Sequence, residues 1–294
     1  MSSLQAIAIF QAIAIVALAP LLQGAMKRLR ARLQGRPGPN AIQPYRDLIK
    51  LWGKEVLLPE GASMLAVIAP GVVLGVALTF AAAIPLAAPG AASVIDIVAL
   101  VFLLALGRFV LGLAALDTRS AFAGMAASRE MTFSSLVEPA LLLALLGGAA
   151  LGYGTGFSAL LRAPFGLAGL LAFAAFFLVL LAETARVPID NQETHYELTM
   201  IHEGLVLEYA GWQLAGLQLA AYVRQLSWLL LAAFLLPGSA WWAHVLYVPA
   251  LAAAITLVEN ASAKVRLFEV PQLLLIAFIL AATSIGLRLL GVLA

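Results

Sequence analysis

"SVIDIVALVFLLALGRFVLGLAAL", residues 93–116, is an apolar run interrupted by one carboxylate near its start, Asp96, and one guanidinium past its middle, Arg108. A helix of about 20 residues crosses the roughly 30 Å of hydrocarbon in a bilayer, so this stretch is long enough to span one. Comparable runs recur at approximately 4–22, 63–86, 136–154, 165–182, 213–236, 240–258 and 271–291. A chain of 294 residues that is 63% hydrophobic and 11% charged, with mean hydropathy +1.02, lacks the polar surface a water-soluble globule needs. The expectation is an all-α integral membrane protein, one polytopic domain over 1–294 with about eight transmembrane helices.

The basic residues orient it. Of 17 Lys and Arg, 13 fall in the odd-numbered connections, Arg162 alone falls in an even one, and Arg108, Arg224 and Arg288 lie inside spans. This bias places the odd connections (23–62, 117–135, 183–212 and 259–270) in the cytoplasm and both termini on the outer side. The first run reads as an anchor rather than a signal peptide, since its positive charges follow it. The carboxylates take the same side although that rule does not govern them: only Asp96 lies near the outer surface.

The third connection, "AETARVPIDNQETHYELTMIHEGLVLEYAG" (182–211), concentrates six of them: Glu183, Asp190, Glu193, Glu197, Glu203 and Glu208. The absence of Gly and Pro from Gln192 to Glu203 permits a helix over 192–208, which would put Glu193, Glu197 and Glu208 within about 60° of one another and His195 and His202 on the far side. Three carboxylates on one stripe repel if all are ionised, so such a set holds and passes protons near neutral pH. Glu183, Glu138 and Glu259 stand at or inside the ends of apolar runs, where a bare charge is costly. Each of the last two therefore needs a partner or water. With Glu130 and Glu269 these residues form a candidate polar route from the cytoplasmic face into the bundle. Arg108 needs a carboxylate or water for the same reason, and Arg186, three residues after Glu183, is placed to hold it if the helix continues. His195 and His202 are too far apart on one helix to share a metal ion. With no cysteine, the chain offers no thiolate for an iron–sulfur cluster or a Cys-ligated zinc site. "GVVLG" at Gly71–Gly75 and "GAALG" at Gly148–Gly152 fit the small-residue pattern of close helix packing.

The first connection contains a turn-rich entry, Pro37-Gly38-Pro39, then Tyr45 to Glu55, which reads as an amphipathic helix at the membrane interface. Arg36, Gly38, Pro39, Gln43, Pro44, Asp47 and Lys50 in this loop, together with "AETARVPID" and "LEYAG", resemble the membrane subunit shared by respiratory complex I (subunit-1 or H type) and the energy-converting membrane-bound [NiFe] hydrogenases, including formate hydrogenlyase. Quinone-linked members carry Ala-Glu-x-x-Arg-x-Pro-Phe-Asp followed by an acidic stretch without histidines. "NQETHYELTMIHEG" looks like the hydrogenase branch. The resemblance implies a subunit with no catalytic centre and no bound cofactor of its own, in the prokaryotic cytoplasmic (inner) membrane. The implied partners are an Fe-S small subunit and a large hydrogenase-like subunit bearing the Ni-Fe centre, with antiporter-like membrane subunits and lipid; nucleic acid is not among them. It further implies that the carboxylates link redox chemistry to proton or sodium translocation. The alternatives are the quinone-site subunit of a complex I-type enzyme, a stand-alone secondary transporter, and a purely structural anchor.

Arg36, Gly38, Pro39, Gln43, Asp47 and Lys50 carry more chemical detail than attraction to anionic lipid requires, which marks the loop for docking. Replacing Arg36 and Asp47 with Ala is expected to release a soluble redox module into the supernatant of washed membranes; a module that stays bound and active refutes the docking role.

Overall fold

The computed structural model describes residues 3–57, 59–84, 96–149, 154–190, 200–238 and 241–291, and no strand occurs among them. The helices are α1 (Ser3–Leu33), α2 (Gln43–Trp52), α3 (Met64–Ala83), α4 (Ile97–Asp117), α5 (Ala121–Gly148), α6 (Phe157–Arg162), α7 (Leu167–Glu183), α8 (His202–Leu205), α9 (Gly211–Phe234), α10 (Trp241–Ala261) and α11 (Val270–Leu289). Seven of these, α1, α3, α4, α5, α9, α10 and α11, are long and apolar enough to cross a membrane. The run at 165–182 forms α7, a shorter apolar helix of 17 residues, about 25 Å long. The chain is an all-α integral membrane protein. Its centre is an aromatic contact, in which Trp228 of α9 meets Phe80 of α3 edge-on at 5.0 Å and Phe176 of α7 at 5.7 Å between ring centroids. Around it α3 packs on α4 and α9, α5 on α4 and α7, and α11 on α5 and α7, while α1 and α10 lie against α9.

Three connections differ from the expected boundaries. Helix α1 continues through Lys27, Arg28 and Arg30 to Leu33, so the first connection begins there and not at residue 23. The second, expected over 117–135, is almost wholly helical, and only 118–120 separate α4 from α5. Ala123, Ala126, Ala127, Glu130, Ser134 and Val137 are buried at helical spacing and face inward, with the early turns of α5 against α8. Small residues and a carboxylate form that stripe, so hydropathy does not register it. The helix expected over 192–208 does not run through its described part: α8 covers only His202–Leu205, and 206–208 form a turn. Gly204 packs so close to α5 that a Cβ there would fall 2.4 Å from the Ala126 Cβ. Glu193, His195 and Glu197 lie outside the described residues.

The amphipathic stretch of the first connection is helical over Gln43–Trp52, with Pro44 in its first turn and Ile49 and Trp52 exposed. Gly38, at φ +72°, turns the chain back onto α1. A Cβ on Gly71 or Gly75 would meet nothing within 4 Å, so neither supports close packing here, while one on Gly148 would strike Leu235 at 2.2 Å; Gly152 lies outside the described residues.

Gly24 is the tightest approach, because a Cβ there would sit 1.9 Å from the Ala41 carbonyl oxygen, a backbone atom that cannot rotate aside. Gly24→Ala is expected to cost about 1–3 kcal/mol through overpacking and to lower the melting temperature of the purified protein. Gly71→Ala serves as the control and should leave the melting temperature unchanged or slightly raised; equal behaviour of the two variants would contradict this packing.

Candidate functional site: a charged chamber at one end of the bundle

A cavity of about 210 Å³ opens where the C-terminal turns of α1, α7 and α10 meet the middle of α4, α5 and α9. Basic connections cluster at this end of the bundle. Its walls carry Arg30, Arg108, Arg186 and Arg224 opposite Glu130, Glu183, Asp190 and Glu259, with His202 between. Charges inside a helical bundle persist when they are paired and hydrogen-bonded, and three linked networks achieve this.

In the first network, the Arg108 guanidinium of α4 binds Glu183 at the last position of α7 and reaches Glu138 of α5 at 3.1 Å. Arg108 is 7% and Glu183 8% exposed, so both are effectively out of solvent. The second network centres on Glu259 near the end of α10. Arg30 donates to one of its oxygens through Nε at 3.1 Å and Nη2 at 2.5 Å, and Arg186 donates to the other at 3.0 Å. Arg186 also donates to Gln23 of α1 at 2.8 Å and Gln225 of α9 at 2.7 Å. In the third, Asp190, only 1% exposed, accepts from Lys264 Nζ at 2.8 Å and from the His202 backbone N–H at 3.2 Å, and lies 3.3 Å from His202 Nδ1. The other ring nitrogen of His202 stands 3.6 Å from Glu130.

Local backbone geometry puts Arg186 there. Helix α7 ends with Ala185 at φ +52°, its N–H bonded to the Ala182 carbonyl and the Arg186 N–H to the Leu181 carbonyl. This is a Schellman cap with alanine where glycine usually stands, a strained choice of the kind that concentrates at functional sites. Because the helix stops, Arg186 is not one turn from Glu183 along a continuing helix. The expected Glu183–Arg186 pairing is replaced: Arg108 takes Glu183, and Arg186 crosses to Glu259.

The chamber thus gathers Glu130, Glu183, Asp190, Glu259, Arg108, Arg186 and His202, with Glu138 joined through Arg108. Both Glu138 and Glu259 have the partners their depth demands. Glu208 lies in the turn after α8, and Glu269 is exposed before α11, accepting the Arg266 backbone N–H at 3.4 Å. The first-loop residues stand apart, Asp47 accepting from Gln43 at 2.8 Å and Arg36 and Lys50 exposed. Sequence reasoning missed Gln23, Gln225, Arg30 and Lys264. A glutamine inside an apolar run was the available signal for Gln225, and one at the edge of a run for Gln23; nothing local distinguishes Arg30 or Lys264 from neighbouring basic residues. Arg224, which the sequence places inside a span, lines the chamber, and its Nε is buried without a hydrogen-bond partner among the described residues.

Burial opposes the charge on His202, but Glu130 and then Asp190 outweigh it and raise its pKa from 6.5 to about 9, so the ring is an imidazolium at neutral pH. Burial also acts against the Asp190 carboxylate, yet bonds and charge from His202 and Lys264 hold it well below the usual carboxylate range.

The fold and the chamber together define a polytopic membrane protein whose ionisable groups are collected at one end of the bundle, without a thiolate for metal binding. The sequence profile described as NADH dehydrogenase matches residues 5–288, and the chain belongs to that family. It is 35% identical over 211 residues to formate hydrogenlyase subunit 4 of Escherichia coli K12, covering 69% of this chain and 68% of that one. Hydrogenase-4 component C of the same organism is 36% identical over 225 residues, covering 73% and 69%. The H-type subunit of the NADH-quinone oxidoreductase of Thermomicrobium roseum is 31% identical over 246 residues, covering 72% and 71%. A chain of the membrane-bound sulfane sulfur reductase, an archaeal respiratory membrane complex, superposes with a TM-score of 0.78 over 94% of this chain and 98% of that one; at 19% identity this is a likeness of fold.

Two outcomes follow from the pairings. Arg108→Met alone should cost about 3–5 kcal/mol by stranding buried carboxylates, whereas the Arg108→Met/Glu183→Met double variant should recover most of it, read by thermal melting in detergent. Equal melting of single and double variants would show that the pair is not coupled. The second concerns pH. The His202 pairing contributes fully below pH 6.5 and is lost as pH rises through about 9, while that of Asp190, whose pKa is depressed, is lost as pH falls below 3.8. Amide exchange of residues 200–206, corrected for intrinsic rates, should be flat between pH 3.8 and 6.5, quicken steadily from pH 6.5 to about 9, and quicken again below pH 3.8; exchange that stays flat across pH 6.5–9 would refute the assignment.

Proposed function

We propose that this chain is the membrane-anchoring and coupling subunit of a respiratory-type redox complex of the membrane-bound [NiFe] hydrogenase or formate hydrogenlyase kind. The observation that carries the reading is the chamber: carboxylates from α5, α7, α10 and the segment after α7 converge there on arginines from α1, α4 and the α7 cap. An anchor alone needs no such concentration of costly buried charge. The identities to formate hydrogenlyase subunit 4 and hydrogenase-4 component C support the choice of complex.

In this reading a small subunit with Fe-S clusters and a large subunit with the Ni-Fe centre dock on the cytoplasmic face, at the first and third connections, in the prokaryotic cytoplasmic (inner) membrane. Antiporter-like membrane subunits lie alongside. The redox chemistry belongs to those partners; this chain's residues position charge and hold protons. Charge arriving at the docked module acts first on the Lys264–Asp190–His202 network, then through Glu130 on the Arg108–Glu183–Glu138 network. Each step exchanges one ion-pair partner for another, so proton or sodium movement follows the redox event. Glu193, Glu197 and Glu208 belong to the same acid set on the loop side.

The test is made on the purified, reconstituted complex. Glu130→Gln and Glu138→Gln keep size and hydrogen bonding while removing a titratable proton. Each is expected to leave an assembled complex that still turns over with an artificial electron donor but moves about tenfold fewer ions per turnover. Undiminished translocation in both variants would reduce the chamber to a structural ion-pair network. Purification with stoichiometric quinone and no nickel would assign the chain to a quinone-reducing enzyme instead.

A further inference from the structure

His202 stands where the third connection meets the membrane-embedded acids, and its two ring nitrogens face different bodies. Nδ1, 3.3 Å from Asp190, faces a carboxylate anchored by Lys264 in the connections; Nε2, 3.6 Å from Glu130, faces a carboxylate on α5. The His202 backbone N–H donates to the same Asp190 oxygen at 3.2 Å, so the residue is tied to the loop twice and to α5 through the ring alone. Around it, α8 lies against α5 with no room at Gly204 for a side chain.

We propose that His202 is the positioning residue that couples the proton occupancy of Glu130 to the placement of the third connection, an inference that rests on the coupling role given above. With Glu130 ionised, Nε2–H faces an anion and draws α8 onto α5. When Glu130 gains a proton it becomes a neutral acid whose O–H finds no acceptor on a ring protonated at both nitrogens. The α5 side of the contact then loses its electrostatic attraction, while the Asp190 side keeps its own. The linkage is reciprocal: a partner that displaces the loop alters how firmly Glu130 holds its proton.

The charges facing the ring come from every side. Glu130 of α5 and Asp190, after α7, favour its proton, and Arg224 of α9 opposes it. Lys264 stands behind Asp190 and Arg108 of α4 behind Glu130, with Glu183 of α7 beyond. With Glu130 ionised the ring stays charged to about pH 9, so the contact is in place throughout the physiological range.

The experiment uses the intact purified complex and reads amide exchange over residues 200–206 in wild type, Glu130→Gln, His202→Gln and the double variant. Glutamine at 130 stands in for the protonated acid. Glu130→Gln is expected to speed exchange about fivefold or more when His202 is present, and to add almost nothing when His202 is Gln. His202→Lys, which keeps a cation, should restore the sensitivity. If His202→Gln does not assemble, wild type against Glu130→Gln still decides: their difference should vanish above about pH 9, where the ring discharges. Glu130→Gln leaving exchange unchanged, or speeding it equally with and without His202, overturns the inference. A wild-type complex that moves no ions would overturn the coupling function, while the exchange result would still report whether the mechanical link exists.

Discussion

Arg108 and Glu183 set the terms for the rest of the molecule. A guanidinium in the middle of an apolar helix is tolerable only with an anion against it, and that anion comes from the last residue of α7. The pairing fixes the depth at which α7 ends relative to α4, and Glu138 on the same guanidinium fixes α5 beside them. Once α7 ends there, the strained turn at Ala185 delivers Arg186 to Glu259 and thereby ties α1 and α10 to the same end of the bundle. Hydrophobic packing cannot do this in lipid, where tails outside are as apolar as the side chains inside and helices gain little by choosing one apolar neighbour over another.

The arrangement also explains why the charged end and the packed end of the bundle differ. Away from the chamber, helix contacts are made by aliphatic side chains and aromatic rings, as at Trp228 with Phe80 and Phe176. At the far end Arg288 turns inward to the carbonyls of Gly147, Gly148 and Pro164, closing the C-terminus of α5 and meeting backbone acceptors that lipid could not. Arg288 therefore serves one helix end, whereas Arg108 and Arg186 join several helices.

Family membership and the chamber bear on different questions. The family profile and the identities near one-third place the chain among membrane subunits of respiratory-type enzymes. They do not say which carboxylates act together. The ion pairs show which of them stand together: Asp190 is joined to Glu130 through a histidine and Glu138 to Glu183 through an arginine, pairs that stand 60 and 45 positions apart in the chain.

By itself the sequence determined the fold class and the approximate spans, since these follow from hydropathy summed over about 20 residues, and the grouping of most carboxylates at one end of the bundle, since they fall in alternate connections. It also marked Glu138, Glu183, Glu259 and Arg108 as residues that could not stand unpaired. Tertiary structure alone decided who pairs with whom. Arg186 looked like the partner of Glu183 because helical spacing was the only geometry available from sequence, and the cap at Ala185 abolished that geometry. The second connection looked like a loop because Arg129, Glu130 and the serines offset its alanines in hydropathy, yet Ala and Glu side chains form the buried stripe of α5 against α8. The roles of Gln23, Arg30, Gln225 and Lys264 were not legible for a different reason: a polar side chain acquires its role from what lies across the bundle, and pairing between distant helices leaves no periodicity along the chain.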